Sequence, residues 1–110
     1  MKIKTIDISA REWFDKVNGN SYFAGSVTIN YHMEDEVVLK MPFQYGYGSQ
    51  YESEAWSTIV SNELIKNEGK NKKYFNRGNG DHVDAYWFCK DNEIIVRSNI
   101  ITGCLKRELK

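Results

Sequence analysis

Met41-Pro42-Phe43-Gln44-Tyr45-Gly46-Tyr47-Gly48-Ser49-Gln50-Tyr51-Glu52 is the stretch in which the chain changes period. Before it, Val37, Leu39, Met41 and Phe43 alternate as a strand does when one face meets a core. After it, Tyr51, Ala55 and Ile59 make one i, i+4 row, and Trp56, Val60 and Leu64 make the row beside it. Together they form one apolar stripe on a helix running from 51 to about 65. In between, Pro42, Gly46 and Gly48 interrupt both patterns, because proline fixes φ and lacks a donor while glycine accepts positive φ. Ser49 and Glu52 have the S-x-x-E spacing of a capping box, which predicts the helix start at Ser49. A helix with a single apolar stripe needs an apolar sheet face to lie on.

Upstream residues supply that sheet. Lys2 to Lys16 reads as a long first strand, with Ile6, Ile8 and Ala10 alternating and a slip near Ala10-Arg11 of the kind a β-bulge makes. Val17-Asn18-Gly19-Asn20 is a hairpin signal. Phe23, Gly25, Val27, Ile29 and Tyr31 then fall on one face of a second strand, and Tyr22, Ala24, Ser26, Thr28 and Asn30 on the other. Met33-Glu34-Asp35-Glu36 turns the chain into the third strand, where Pro42 fits only at an end or on an edge. Residues 2–43 therefore read as a three-stranded antiparallel meander.

Downstream, Gly69 is a candidate left-handed cap for the helix, and 70–81 reads as an exposed loop around Gly78-Asn79-Gly80. Asp81 is placed to cap a second helix reaching about Asp91, although Tyr86-Trp87-Phe88 also suits a strand. Ile94 to Arg97 and Ile100 to Leu105 close the chain as one strand or two. The expected fold is α+β: an antiparallel sheet with two helices on one face, in the order β-β-β-α-α-β, in a single domain spanning 1–110.

Composition narrows the function classes. The 15 basic and 15 acidic residues balance, which argues against non-specific duplex binding and against an acidic nucleic-acid mimic. Met1 to Asp7 contains no apolar h-region, and no run approaches the roughly 18 apolar residues of a membrane span, so a cytoplasmic location without membrane contact is expected. In that compartment Cys89 and Cys104 are expected as free thiols. His32 and His82 have no ligand-spaced partners, so no metal is expected. There is no G-x-S-x-G elbow. Residues His82 and Cys89, seven apart on a helix, would stand about 10 Å from each other, too far to hydrogen-bond. Glu52 and Glu54 complement a helix N-terminus, Glu34-Asp35-Glu36 suits a solvated turn, and Gly46-Tyr47-Gly48 lacks the rest of a phosphate loop. No catalytic residue and no cofactor is expected; a hydrolase with carboxylates assembled only by the fold is the rival.

Two segments carry binding character. Gln44, Tyr45, Tyr47, Gln50 and Tyr51, extended by Trp13 and Tyr22, suit a recognition surface, since tyrosine and tryptophan give rigid, amphipathic contact area. The same tyrosines also suit a minor core folded over the helix. Lys66, Lys70, Lys72, Lys73, Tyr74, Phe75 and Arg77 interleave charge with aromatics as a nucleic-acid or nucleotide site would, or as an anchored solvated loop would. Arg97, Lys106, Arg107 and Lys110 can extend that positive patch if the last strand lies beside it.

Trp13-Phe14-Asp15-Lys16-Val17-Asn18-Gly19-Asn20-Ser21-Tyr22-Phe23 and Pro42-Phe43-Gln44-Tyr45-Gly46-Tyr47-Gly48 resemble segments of small bacteriophage proteins that carry no assigned activity, and Leu105-Lys106-Arg107-Glu108-Leu109 is similar to their basic ending. The likeness covers the first half of the chain well and the middle poorly. It implies a phage or prophage origin, hence a protein made to bind and redirect host machinery, immune systems included. The expectation is a non-enzymatic accessory factor docking on a host or phage protein, with a homodimer through a free sheet edge as a further possibility. Binding of nucleic acid or a small nucleotide is the alternative.

Overall fold

β1 (Thr5–Asp15) and β2 (Asn20–Ile29) pair antiparallel, from Ile6 opposite Ile29 to Asp15 opposite Asn20. The structure is a computed structural model and describes residues 2–76 and 79–109, without the side chains of 76 and 79–82. Between the two strands the Asp15 carboxylate accepts from the N–H groups of Val17 and Asn18 and from the Asn18 amide, while Gly19 takes a φ of 70°. These bonds, the Asn18 side chain foremost, hold the Asp15 carboxyl below its usual range. The register of this ladder is unbroken, so the slip expected near Ala10-Arg11 is not a bulge. Trp13 simply falls on the opposite face from Ala10, while Phe14 keeps the face of Ala10 but lies beyond the core and is exposed.

β3 (Val37–Tyr45) adds to β2, and the chain then crosses to the opposite edge through α1 (Gln50–Ser61), a 3-10 helix (Gly69–Tyr74), a hairpin of β4 (Phe75–Asn76) and β5 (Asn79–Val83), and α2 (Ala85–Asp91). β6 (Ile95–Ile101) completes a sheet of order β3-β2-β1-β6, and a 3-10 helix (Lys106–Leu109) follows. The fold is α+β. Its sheet is mixed, however: β6 runs parallel to β1, where an antiparallel strand was expected. The cause is the end at which the chain re-enters. Ile95 N–H donates to the Lys4 carbonyl, so β6 starts where β1 starts and must run with it.

One core fills the side of the sheet that carries the helices. Ile6, Ile8, Ala10, Phe23, Val27, Ile29 and Met41 meet Tyr51, Ala55 and Ile59 of α1 and Phe88 and Cys89 of α2. Each fully buried aliphatic here contributes about 1.5–3 kcal/mol. The Tyr51, Ala55 and Ile59 row of α1 is buried as its spacing predicts, whereas Trp56 and Val60 are half-buried. The helix stops at Ser61, short of the expected 65 and with Leu64 beyond it, and Ser49 makes no side-chain cap. Gln50 reaches back instead, its Oε1 accepting from Tyr47 N–H at 3.0 Å. The region expected as a loop over 70–81 contains the 3-10 helix and the hairpin. Asp81 lies in β5, and Asp84 caps α2 by accepting from Trp87 N–H. Helical Tyr86-Trp87-Phe88 excludes the strand alternative.

Both helices stop by one device. Asn62-Glu63-Leu64 and Asn92-Glu93-Ile94 each place Glu at a left-handed φ, 59° and 56°. Leu64 N–H returns to the Ile59 carbonyl and Glu63 N–H to Val60; Ile94 N–H returns to Cys89 and Glu93 N–H to Lys90. This is the Schellman pattern, and each Asn side chain adds a bond to the carbonyl four residues back. Gly69 also has positive φ, but it opens the 3-10 helix instead of closing α1. Glutamate in this conformation is strained where glycine is not. Glu63→Gly and Glu93→Gly should therefore each raise stability by about 0.5–1 kcal/mol in urea titration.

Candidate functional site

The candidate site is on the other side of the sheet, and a bulge makes it. Phe23 pairs with Gln44 and Gly25 with Met41, so Ala24 alone faces the two residues Pro42 and Phe43. Pro42 lacks the N–H that a regular ladder would use, and an edge strand tolerates the break. The extra residue turns Phe43 off the row of Val37, Leu39 and Met41, onto the outer face.

There it joins Trp13 of β1 and Tyr22 of β2, which oppose each other directly. Ring centroids are 5.1 Å apart for Tyr22 and Phe43, 5.5 Å for Trp13 and Tyr22, and 6.4 Å for Trp13 and Phe43. Tyr45 meets Tyr22 edge-on at 5.9 Å. Tyr22 is thus the hub, in contact range of three rings. Phe43 and Tyr45 are 38% and 56% exposed, so the cluster is open to solvent. Lys106 Nζ stands 5.3 Å above the Trp13 ring. The terminal 3-10 helix packs on the middle of this face, Leu109 being buried and the Glu108 carbonyl accepting from Arg11. The patch lies beyond that covered part.

The expected recognition residues therefore separate. Trp13, Tyr22 and Tyr45 come together, and Phe43, which the sequence reading left in the core row, joins them; proline inside a strand was the signal for the bulge that moves it. Tyr47 is exposed but outside the ring cluster. Gln44 turns back onto the Pro42 carbonyl, and Gln50 is held by Tyr47 N–H. Tyr51 is buried against the sheet, so it is a core residue and not a contact residue.

The basic segment also divides. Lys70 and Lys72 are exposed. Tyr74 is buried, its hydroxyl donating to Asp91 at 2.7 Å and its ring edge-on to Phe88. It anchors the segment and cannot stack on a base. Lys73 lies over the Tyr74 ring with Nζ 4.0 Å from Asp91. Arg77 and Lys110 lie outside the described residues. Arg97 pairs with Asp7 at 2.7 Å and Lys106 covers Trp13, both on the outer face. Tyr74 and Phe75 belong to the core on the helical side, so these cations do not extend one patch.

Reactive groups are few. Cys89 and Cys104 are free. Burial pushes the Cys89 thiol up to about 11, and the hydrogen bond to Asp91 raises the Tyr74 hydroxyl. Deprotonation of either group favours the unfolded chain, where its pKa is lower. Stability should be full below pH about 9 and fall as pH rises through about 11, a trend that urea midpoints against pH would record. At pH 7.5 a thiol reagent should label Cys104 in the native protein, with Cys89 reacting fully only after denaturation. Among the described residues no three His, Cys, Asp or Glu side chains converge as a metal site, and no helix is long and apolar enough to cross a membrane. Set beside protein-family models, curated proteins and solved structures, the chain matches none of them.

Proposed function

We propose that this protein is a non-enzymatic docking module, a phage accessory factor that engages a host protein in the cytoplasm and redirects or blocks it, with a system directed against phage as the fitting target class. The observation that carries this reading is the cluster of Trp13, Tyr22, Phe43 and Tyr45 on the sheet face away from the helices. Rings that already pack on one another lose little rotamer freedom when a partner covers them, which lowers the cost of binding. Their contact faces are largely used within the cluster. Tyr22 is already stacked on both Trp13 and Phe43, so its ring faces are not free for an inserted base, which favours a protein surface.

Affinity purification from expressing or infected cells, read by mass spectrometry, tests it. Wild-type protein should retain a defined host protein, and Tyr22→Ala should lower its recovery at least about 10-fold, as removal of a hot-spot residue does. Tyr47→Ala, outside the cluster, should leave recovery unchanged. Equal recovery with Tyr22→Ala and Phe43→Ala, both folded by circular dichroism, would remove the proposal. The nucleic-acid alternative requires instead that Lys70→Glu with Lys72→Glu abolish binding, and that binding weaken steeply with salt.

A further inference from the structure

We propose that β6 is a dimerisation strand, pairing antiparallel with β6 of a second copy about a two-fold axis through Ser98. The two outer edges of the sheet are unlike. β3 is blunted by Pro42, by the bulge and by Lys40, the devices that keep an edge from pairing. β6 contains no proline and no break in its register with β1. Among the described residues nothing pairs with its outer side. Its apolar side chains are open, Ile95 and Ile101 being 61% and 53% exposed.

What identifies the occupant is the sequence of the strand, Ile95-Val96-Arg97-Ser98-Asn99-Ile100-Ile101. Its polarity reads the same in both directions about Ser98. Antiparallel pairing on that centre sets Ile95 opposite Ile101 of the second copy, Val96 opposite Ile100, and Arg97 opposite Asn99. Every apolar residue then meets an apolar residue on its own face, the arrangement that stabilises a ladder. Centring on Arg97 would set two guanidinium groups opposite each other, and centring on Asn99 would set Arg97 against Ile101. The charge is also accounted for. Arg97 is the strand's one ionised side chain, and Asp7 of the same protomer neutralises it.

The backbone agrees with this centre. Ile95 N–H is bonded to the carbonyl of Lys4, the residue just before β1, so by alternation the groups of Arg97, Asn99 and Ile101 also face β1. Those of Val96, Ser98 and Ile100 face outward, and the Ser98-centred register joins them in roughly six hydrogen bonds. The product is one continuous eight-stranded sheet. A two-fold axis perpendicular to it places both aromatic patches on one face, one at each end.

Light scattering on the full chain tests the pairing. At about 100 μM, where mass action favours association, wild-type protein should show twice the protomer mass of 12.8 kDa. Ser98→Pro removes an outward N–H that β1 does not use, so it should give a monomer whose circular dichroism matches wild type. Ile95→Lys and Ile101→Glu should each be monomeric alone, and mixing the two should restore the dimer mass, because the new ammonium faces the new carboxylate. A monomeric wild type overturns the proposal. So does a dimer that survives Ser98→Pro, or one that fails to return on mixing the charge pair.

Discussion

Gly25→Ala is expected to destabilise the protein by about 3 kcal/mol, an overpacking cost at the upper end for one methyl because backbone must move to admit it. A Cβ at this position would sit on the Ser9 carbonyl oxygen and 2.8 Å from the Ala10 Cα, both main-chain atoms of β1. Side chains can rotate away from an intruder, but a paired strand cannot. β1 is held between β2 and β6, and its Ala10 side chain is in the core, so the methyl has to push two ladders apart. For a domain of this size a 3 kcal/mol loss lowers the melting temperature by roughly 12–20 °C. Ala10→Gly should fail to rescue it, since the obstacle is the backbone and not the Ala10 methyl. Thermal melts of the single and double variants decide the matter; a Gly25→Ala protein within a few degrees of wild type would mean that the Ser9–Ala10 backbone of β1 yields to the methyl at little cost.

How much of this could be read beforehand follows from the range of the forces involved. The strands, the α1 stripe and the hairpin at Gly19 rest on neighbours a few residues away, and the alternation of Phe23, Val27 and Ile29 or the i, i+4 rows of α1 state them directly. The direction of β6 is set by where α2 ends in space, through Ile94 and Ile95, and no local pattern encodes it. The helix stops were written in the chain twice, as Asn62-Glu63-Leu64 and Asn92-Glu93-Ile94. Sequence alone favours Gly69 as the cap, because a left-handed glutamate is uncommon and glycine takes that conformation without strain.

The aromatic patch was legible only in part. Trp13 and Tyr22 flank the hairpin and so meet whenever it forms. Phe43 reaches them only through the bulge, and the alternation of Val37, Leu39 and Met41 assigns it to the wrong face until that extra residue is known. Tyr51 shows the converse. Its neighbours in sequence are loop tyrosines, but its position on the helix places it in the Ala55 and Ile59 row, and the row wins.

The second large effect is expected at Asn30, where alternation along β2 places a polar residue on the outer face and the fold instead buries it completely. Asn30 has a φ of 54°, which ends the strand and swings its amide under the start of β1. Oδ1 accepts from Lys4 N–H at 2.7 Å and Thr5 N–H at 3.3 Å, and Nδ2 donates to the Lys2 carbonyl at 2.9 Å. Three main-chain groups thus rely on one side chain. Asn30→Ala strips all three and keeps the left-handed backbone under a Cβ less suited to it, for an expected loss of about 3–4 kcal/mol. Asn30→Gly strips the same bonds but relieves the backbone, so it should lose about 1 kcal/mol less. The difference between the two variants measures strain, and what remains measures the hydrogen bonds. If Asn30→Gly unfolds at the wild-type urea concentration, the amide contributes nothing and the burial of Asn30 is incidental. The position also bears on assembly: Lys4, which Asn30 fixes, supplies the carbonyl that starts β6. Loosening it should fray the first residues of the proposed pairing strand, and dimer mass should fall at protein concentrations where the fold itself is still intact.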